Sequence, residues 1–337
     1  MSEARVSSVS SKATPRSTAP VFVLGCPRSG TTYLYHLLLS AGNFAIYHAE
    51  SEVFHLLEPR FGDLSQPNNK TRLLQEWFNS RLFTATGLTK RTLQGKIMAE
   101  CRNGGDFLRI VMQEVARNQG VARWAECTPD HILNLARIKQ TIPDALIIHI
   151  IRDGRDAALS MEKQGWPKQL PWDGTKRRMA AGLYWEWIVR RGRTAGLQVG
   201  SDYTEVHYED LINNPRQTLQ RLGSFIDQEL DYDQIQRTPV GSVTQPNTSF
   251  KEERRDGTFS PVGRWKKFYS PEELETFETL VGDGLQEFGY PAETNSGSGN
   301  LRLHLLRAQY HAFLASKLYF RTKMPAARFF IHQKLPQ

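Results

Sequence analysis

Cysteine is scarce: Cys26, Cys101 and Cys127 are the only three among 337 residues. They are odd in number and far apart, and none forms a Cys-x-x-Cys pair. Neither a disulfide framework nor a metal centre is therefore expected, and a reducing cytoplasm suits such a chain. Long apolar runs are also missing. The densest, Ala145 to Ile151, is interrupted by His149 and stops at Arg152, far short of a membrane span. Met1 to Ala19 is rich in Ser, Thr and Ala but lacks the apolar stretch of a signal peptide, so residues 1–19 are expected to be a disordered leader on a soluble protein. Acidic residues are absent from Leu301 onward, where seven Lys and Arg stand, and the leader carries three Lys and Arg against Glu3. These two ends account for the whole formal charge of +8, so residues 20–300 are close to neutral and no nucleic-acid partner is implied.

What is present reads as one globular α/β domain. The hydrophobic content of 39% is ordinary, and the length supports one large domain or two small ones. Val21 to Leu24 is a short apolar run that stops at Gly25, and Tyr33, Leu34, Leu37 and Leu38 then recur at helix spacing. Leu146 to Ile151 is a second apolar run, suited to a parallel strand covered on both faces. Lys70 to Val121 is helical in composition, with turn signals at Gly87, Gly95 and Gly104-Gly105, and Thr175 to Arg193 predicts another helix. Asn214-Pro215 predicts a helix start with Asn as cap, and Ser270-Pro271-Glu272-Glu273 a capping box whose helix ends at Gly289. Helices alternating with few buried strands imply a three-layer fold with a mainly parallel central sheet over residues 20–290. Residues 291–300, dominated by Gly, Ser, Asn and Thr, are expected to be a linker to a basic segment, 301–337.

Two segments carry chemistry. Gly25-Cys26-Pro27-Arg28-Ser29-Gly30-Thr31-Thr32 sits at a strand-to-helix turn, where backbone N–H groups and the helix dipole make an anion site. Its spacing copies the ATP-binding P-loop, but Thr31 replaces the lysine and a cation stands inside the loop instead, at Arg28. The second runs from Ile147 through Arg152-Asp153-Gly154-Arg155-Asp156 to Ser160, placing a guanidinium fork at a strand end and a hydroxyl on the following helix, which suits a phosphate dianion.

Pro27 to Thr32 resembles the 5′-phosphosulfate loop of the sulfotransferases that use 3′-phosphoadenosine 5′-phosphosulfate (PAPS), closest to the branch with the tyrosylprotein and many bacterial enzymes. The resemblance implies a P-loop-like fold, a transfer of the sulfuryl group to an acceptor hydroxyl or amine, and no metal. It implies that Pro27, Arg28, Ser29, Gly30, Thr31 and Thr32 hold the 5′ end of the nucleotide, with Arg28 also catalytic, and that Arg152 and Ser160 hold the 3′-phosphate. Val206 to Leu211 is similar to a family segment that places Tyr208 near the adenine. Gly263 to Lys267 is similar to a late loop that puts Arg264 on a phosphate, with Lys266 in reserve. The family's general base is a Glu after the first helix. Glu50 in Tyr47-His48-Ala49-Glu50-Ser51-Glu52-Val53-Phe54 matches it, with Glu52 and His48 as alternatives. The likeness spans Val21 to Tyr290 and leaves residues 66–121 largely unmatched. One departure stands out: in Glu126-Cys127-Thr128-Pro129-Asp130-His131, Cys127 occupies a place where the family usually has Lys, and His131 fits a structural role better than a compensating one.

Two other readings compete with this one. A kinase or NTPase is disfavoured by the missing lysine and by the absence of a short apolar strand ending in a magnesium-binding Asp. A nucleotide-binding module without catalysis is favoured by Cys127. The acceptor is not legible. In the basic segment Leu303, Leu306, Tyr310, Phe313 and Leu314 recur at three- and four-residue steps, which predicts an amphipathic helix. Its apolar face is expected on its own domain, on a second subunit, or on an anionic membrane surface.

Overall fold

The computed structural model describes residues 14–245, 247–248, 250–294, 300–323 and 335, so residues 1–13 of the expected leader, 295–299 of the expected linker and most of the chain after Lys323 lie outside it. Four strands form one sheet, β1 (Val21–Gly25), β2 (Ala125–Glu126), β3 (Leu146–Ile151) and β4 (Tyr203–His207), in the order β2-β1-β3-β4 with every pairing parallel. The helices that matter here are α1 (Thr31–Ser40), α2 (Pro67–Trp77), α3 (Lys90–Glu100), α4 (Gly104–Asn118), α5 (Gly154–Lys163), α6 (Arg177–Val199), α7 (Pro215–Ile226), α8 (Pro271–Glu287) and α9 (Leu301–Lys323).

Alternation along the central strands explains the three layers. Val21 and Val23 pack with Leu34, Leu37 and Leu38 of α1 and Leu219 and Leu222 of α7, whereas Phe22 and Leu24 belong to the core on the opposite face with Leu183 and Ile188 of α6. Ile148 and Ile147 of β3 divide the same way. Every residue of β1 and β3 is buried, which is why both strands read as apolar runs, broken in β3 only by the buried His149. The fold is thus α/β with a wholly parallel sheet covered on both sides.

Several expectations are corrected. Gly95 lies inside α3, not in a turn. Gly104 and Gly105 open α4 behind an Asn103 cap; a Cβ on Gly105 would sit 2.3 Å from the Thr141 hydroxyl, so the glycine permits close packing and marks no chain reversal. The helix expected over Thr175 to Arg193 runs from Arg177 to Val199. Pro215 begins α7, but the Asn214 side chain makes no cap bond. The capping box at Ser270 is formed, with Ser270 and Glu273 bonding each other's backbone N–H. Pro291 to Thr294 is held to α8, where the Glu278 carboxylate accepts from the N–H groups of Glu293 and Thr294. The basic helix α9 packs on α6 and α8. Among the described residues no helix is long and apolar enough to cross a membrane.

Behind the strand ends lies a buried ion network. Arg155, 3% exposed, donates to Asp153 at 2.8 Å and to Glu278 at 2.9 Å, and its guanidinium stacks 4.0 Å above Trp265. Two carboxylates therefore depend on one cation in a region of low dielectric. Arg155→Ala is expected to lower the unfolding free energy in urea by about 3–5 kcal/mol; a loss near that of an exposed pair would mean that solvent replaces the guanidinium.

Candidate active site

The first anion-binding element forms because β1 ends against β3. A Cβ on Gly25 would lie 2.3 Å from the Ile150 carbonyl oxygen, so only glycine allows that approach. The chain then turns, with the Ser29 N–H donating to the Cys26 carbonyl, Arg28 at φ 69° and Gly30 at φ 97°. A left-handed arginine is uncommon and carries strain, a feature that clusters at ligand sites. Gly30 also lies against the Tyr208 ring, which a Cβ would meet at 2.3 Å. Helix α1 follows at once, and its first N–H groups, free of intrahelical partners, give the loop its positive end.

The second element meets the first although it comes more than a hundred residues later. Arg28 Nε donates to Ser160 Oγ at 3.0 Å, and Arg152 donates to the Arg28 carbonyl at 2.9 Å and the Pro261 carbonyl at 2.6 Å while its guanidinium lies 4.7 Å from the Tyr208 ring centre. The Asp156 carboxylate accepts from the N–H groups of Gly263 and Trp265, both at 2.8 Å, and so fixes the late loop. There Arg264 is buried, stacked 3.8 Å from Phe250 and paired with Glu253. Lys266 instead makes a surface pair with Glu293 at 2.9 Å. The Nε atoms of Arg152 and Arg264 are buried without a hydrogen-bond partner among the described residues. Burial and the neighbouring Arg152 also push the Arg28 pKa down, against the pull of Glu50. Crowded cations with unused donors are the signature of an anion site.

A cavity of about 1150 Å³ is lined by Pro27, Arg28, Gly30, Thr31, Thr32, Glu50, Arg152, Ser160, Tyr208 and Arg264. Ser29 is fully buried and does not line it. Glu52 also faces the cavity; His48 is exposed and stands outside it, its ring against His36.

The carboxylates differ sharply. Burial, then Glu52, Glu126 and Asp130, push Glu50 up to about 8, with Arg28 opposing. Burial also raises Glu52, to about 7, with His131 opposing. Glu126 is held at about 2: burial would raise it, but His131 and hydrogen bonds from His131, Thr128 and Ser51 outweigh that. The Phe54 N–H donates to His131 Nε2, and His131 Nδ1 faces a Glu126 carboxylate oxygen at 3.1 Å. His131 is a structural residue. Cys127 is buried and its thiol is raised by burial, Glu126 and Glu50, so it supplies no cation.

Sequence reasoning missed part of this cavity. Asp130 lines it and accepts from the Tyr184 hydroxyl at 2.8 Å, and His55 reaches Asp130 at 3.7 Å and Arg321 at 3.3 Å. Tyr310, Phe313, Leu314, Lys317, Leu318 and Arg321 line it from α9. The amphipathic spacing of α9 was the signal for those, but spacing does not name the surface a helix covers.

A parallel α/β domain whose strand ends present an anion loop and a second arginine defines the class of nucleotide- and anion-binding proteins. Residues 20–233 match the sulfotransferase family, and the chain belongs to it. It is a sulfotransferase. Similar solved structures include the sulfotransferase domain of the Synechococcus PCC 7002 olefin synthase, at 16% identity over 90% of this chain and 96% of that one with a TM-score of 0.47. A sulfotransferase of Mycobacterium avium is similar at 18% identity over 82% and 78% with a TM-score of 0.42. A mouse sulfotransferase complexed with PAP is similar at 14% over 86% and 89% with a TM-score of 0.40.

A carboxyl whose pKa is raised on folding stabilises the native state least when ionised. Glu50→Gln is therefore expected to be more stable than the parent by an increasing margin as pH rises from about 4.5 to about 8, the total gain exceeding about 1 kcal/mol. Thermal or urea unfolding of both proteins at pH 5 and pH 8.5 reads this, and a pH-independent difference would place Glu50 in water.

Proposed function

We propose that this sulfotransferase takes its sulfuryl group from PAPS and passes it to an acceptor hydroxyl or amine, with Glu50 as general base. The observation that carries the donor assignment is the convergence of Arg28, Arg152 and Arg264 on one cavity, the last two with buried Nε atoms that have no partner among the described residues. Bound PAPS supplies a sulfuryl group whose bond to the 5′-phosphate oxygen breaks as its bond to the acceptor forms. The loop N–H groups and Arg28 sit where negative charge grows on the departing phosphate, the main electrostatic task in a transfer of this kind. Arg152 and Ser160 supply a fork and a hydroxyl for a second phosphate, Tyr208 a flat face beside them, and Arg264 a further cation.

Glu50 takes the acceptor proton. It is favoured over Glu52 because Arg28 acts on it directly, whereas Glu52 is coupled to His131 and Arg321. A base near pH 8 is poised for proton transfer close to neutrality. The buried, neutral Cys127 favours one second reading, nucleotide binding without turnover, which PAP binding with no transfer to any acceptor in a broad panel would support.

Arg28→Ala and Arg152→Ala are each expected to weaken PAP binding by about 1.5–3 kcal/mol in calorimetry. Unchanged affinity in a folded variant removes that residue from the phosphate site. Glu50→Gln is expected to bind PAP normally but to lose at least ~100-fold in turnover, and the parent's rate should climb with pH towards about 8 as Glu50 ionises. If Glu52→Gln shows the larger loss, the base is Glu52.

A further inference from the structure

The family match ends at residue 233, yet a quite different part of the chain closes the cavity. Tyr310, Phe313, Leu314, Lys317, Leu318 and Arg321 of α9 recur at steps of three and one, the pattern of a single helix stripe, and all six line it. The helix is fastened beside it. Arg307 donates to Glu186 of α6, a carboxylate with no exposure, at 3.0 Å, and the Tyr310 hydroxyl donates to Asp173 at 2.6 Å while accepting the Leu170 N–H at 3.0 Å. Trp172 adds a bond to Gln309 at 2.9 Å. These last bonds tie the α5–α6 loop to α9, and residues 165–171 of that loop line the cavity too.

At about 1150 Å³ the cavity exceeds the ~300–1,000 Å³ of an ordinary single-ligand pocket, so it has room for more than a nucleotide. The surplus wall has an apolar side and a polar one, the latter made by His55, Asp130, Lys317 and Arg321. Tyr184 and Trp187 of α6, stacked at 6.5 Å, and Leu133 line the apolar side together with Leu314 and Leu318 of α9. At its edge Trp166 and Phe313 stay 52% and 47% exposed, large aromatics left in water beside an open cavity.

We propose that α9 and the loop it holds are the acceptor-binding wall of this enzyme, and that the acceptor presents an apolar body with a hydroxyl or amine at its reacting end. The inference rests on the sulfuryl-transfer reading for the identity of the cavity's second occupant. The stripe of α9 selects the apolar body, and Arg321, which reaches the His55–Asp130 pair, closes the polar end of that wall.

The test uses the full-length protein with 1-decanol and glucose as probes, followed by quenching of the cavity tryptophans, with and without PAP. Decanol is expected to bind and to accept labelled sulfate, and glucose at equal concentration to do neither. Phe313→Glu, at a half-exposed position, should weaken decanol by at least ~10-fold, with its thermal midpoint and PAP affinity unchanged and with Phe313→Leu restoring most of the binding. Leu318→Ala should act in the same direction. Decanol binding equally well to Phe313→Glu and Leu318→Ala overturns the assignment, as does a preference for glucose. If the parent fails to bind PAP, the donor reading falls, while the decanol comparison in its absence still decides the role of α9.

Discussion

The in-register pairing of β1 with β3 is the constraint on which the rest depends. Val21 to Gly25 lies beside Leu146 to Ile150, so the two strands end together and release their loops at one edge of the sheet. Gly25 has to lack a side chain for that approach, and everything after it inherits the position. Arg28 and Arg152 are brought side by side by strand register before any ligand contributes. Two adjacent guanidiniums would repel in isolation. Their partners include neutral acceptors: Ser160 and the Asn247 carbonyl for Arg28, and the carbonyls of Arg28 and Pro261 for Arg152. Those bonds fix the direction of both guanidiniums at the cavity they line.

A shell of full ion pairs sits one layer further back. Arg155 is spent on Asp153 and Glu278, and Asp156 on the N–H groups that position Arg264. The run Arg152-Asp153-Gly154-Arg155-Asp156 therefore divides its labour by side: one residue faces the cavity and three hold the frame. Two arginines three residues apart, identical in composition, have opposite fates: Arg155 is hydrogen-bonded to two carboxylates, whereas Arg152 donates to two backbone carbonyls.

This division bounds what could be read from sequence. The strand-loop-helix order, the positions of β1 and β3 and the arginines at their ends were legible, since full burial leaves an apolar run and a glycine-rich turn punctuates it. β2 was not, because two paired residues make no pattern, and β4 was not, because Tyr-Thr-Glu-Val-His at a sheet edge is only half covered. The glycines of α3 and α4 misled because turn chemistry and close helix packing call for the same residue. The choice of Arg264 over Lys266 as the cavity residue depends on which side of a short helix faces inward, and α9 on which surface an amphipathic stripe meets. Both are tertiary facts with no local signal.

The carboxylates beside the loop carry the last consequence. Glu126 receives so many donors that it stays ionised, and after burial and Glu52 its charge is the next influence that raises Glu50. Environments that drive neighbouring acids apart in pKa sort them into roles, one a fixed anion and the other a group able to exchange its proton near neutrality. Cys127 belongs to this arrangement. An ammonium in its place would pull Glu50 down and strip it of basicity. A neutral thiol leaves burial and the push from Glu52, Glu126 and Asp130 opposed by Arg28. The residue missing from the expected pattern thus shifts charge compensation onto the loop arginine, and ties the strength of the base to the same cation that meets the departing phosphate under the donor reading proposed above.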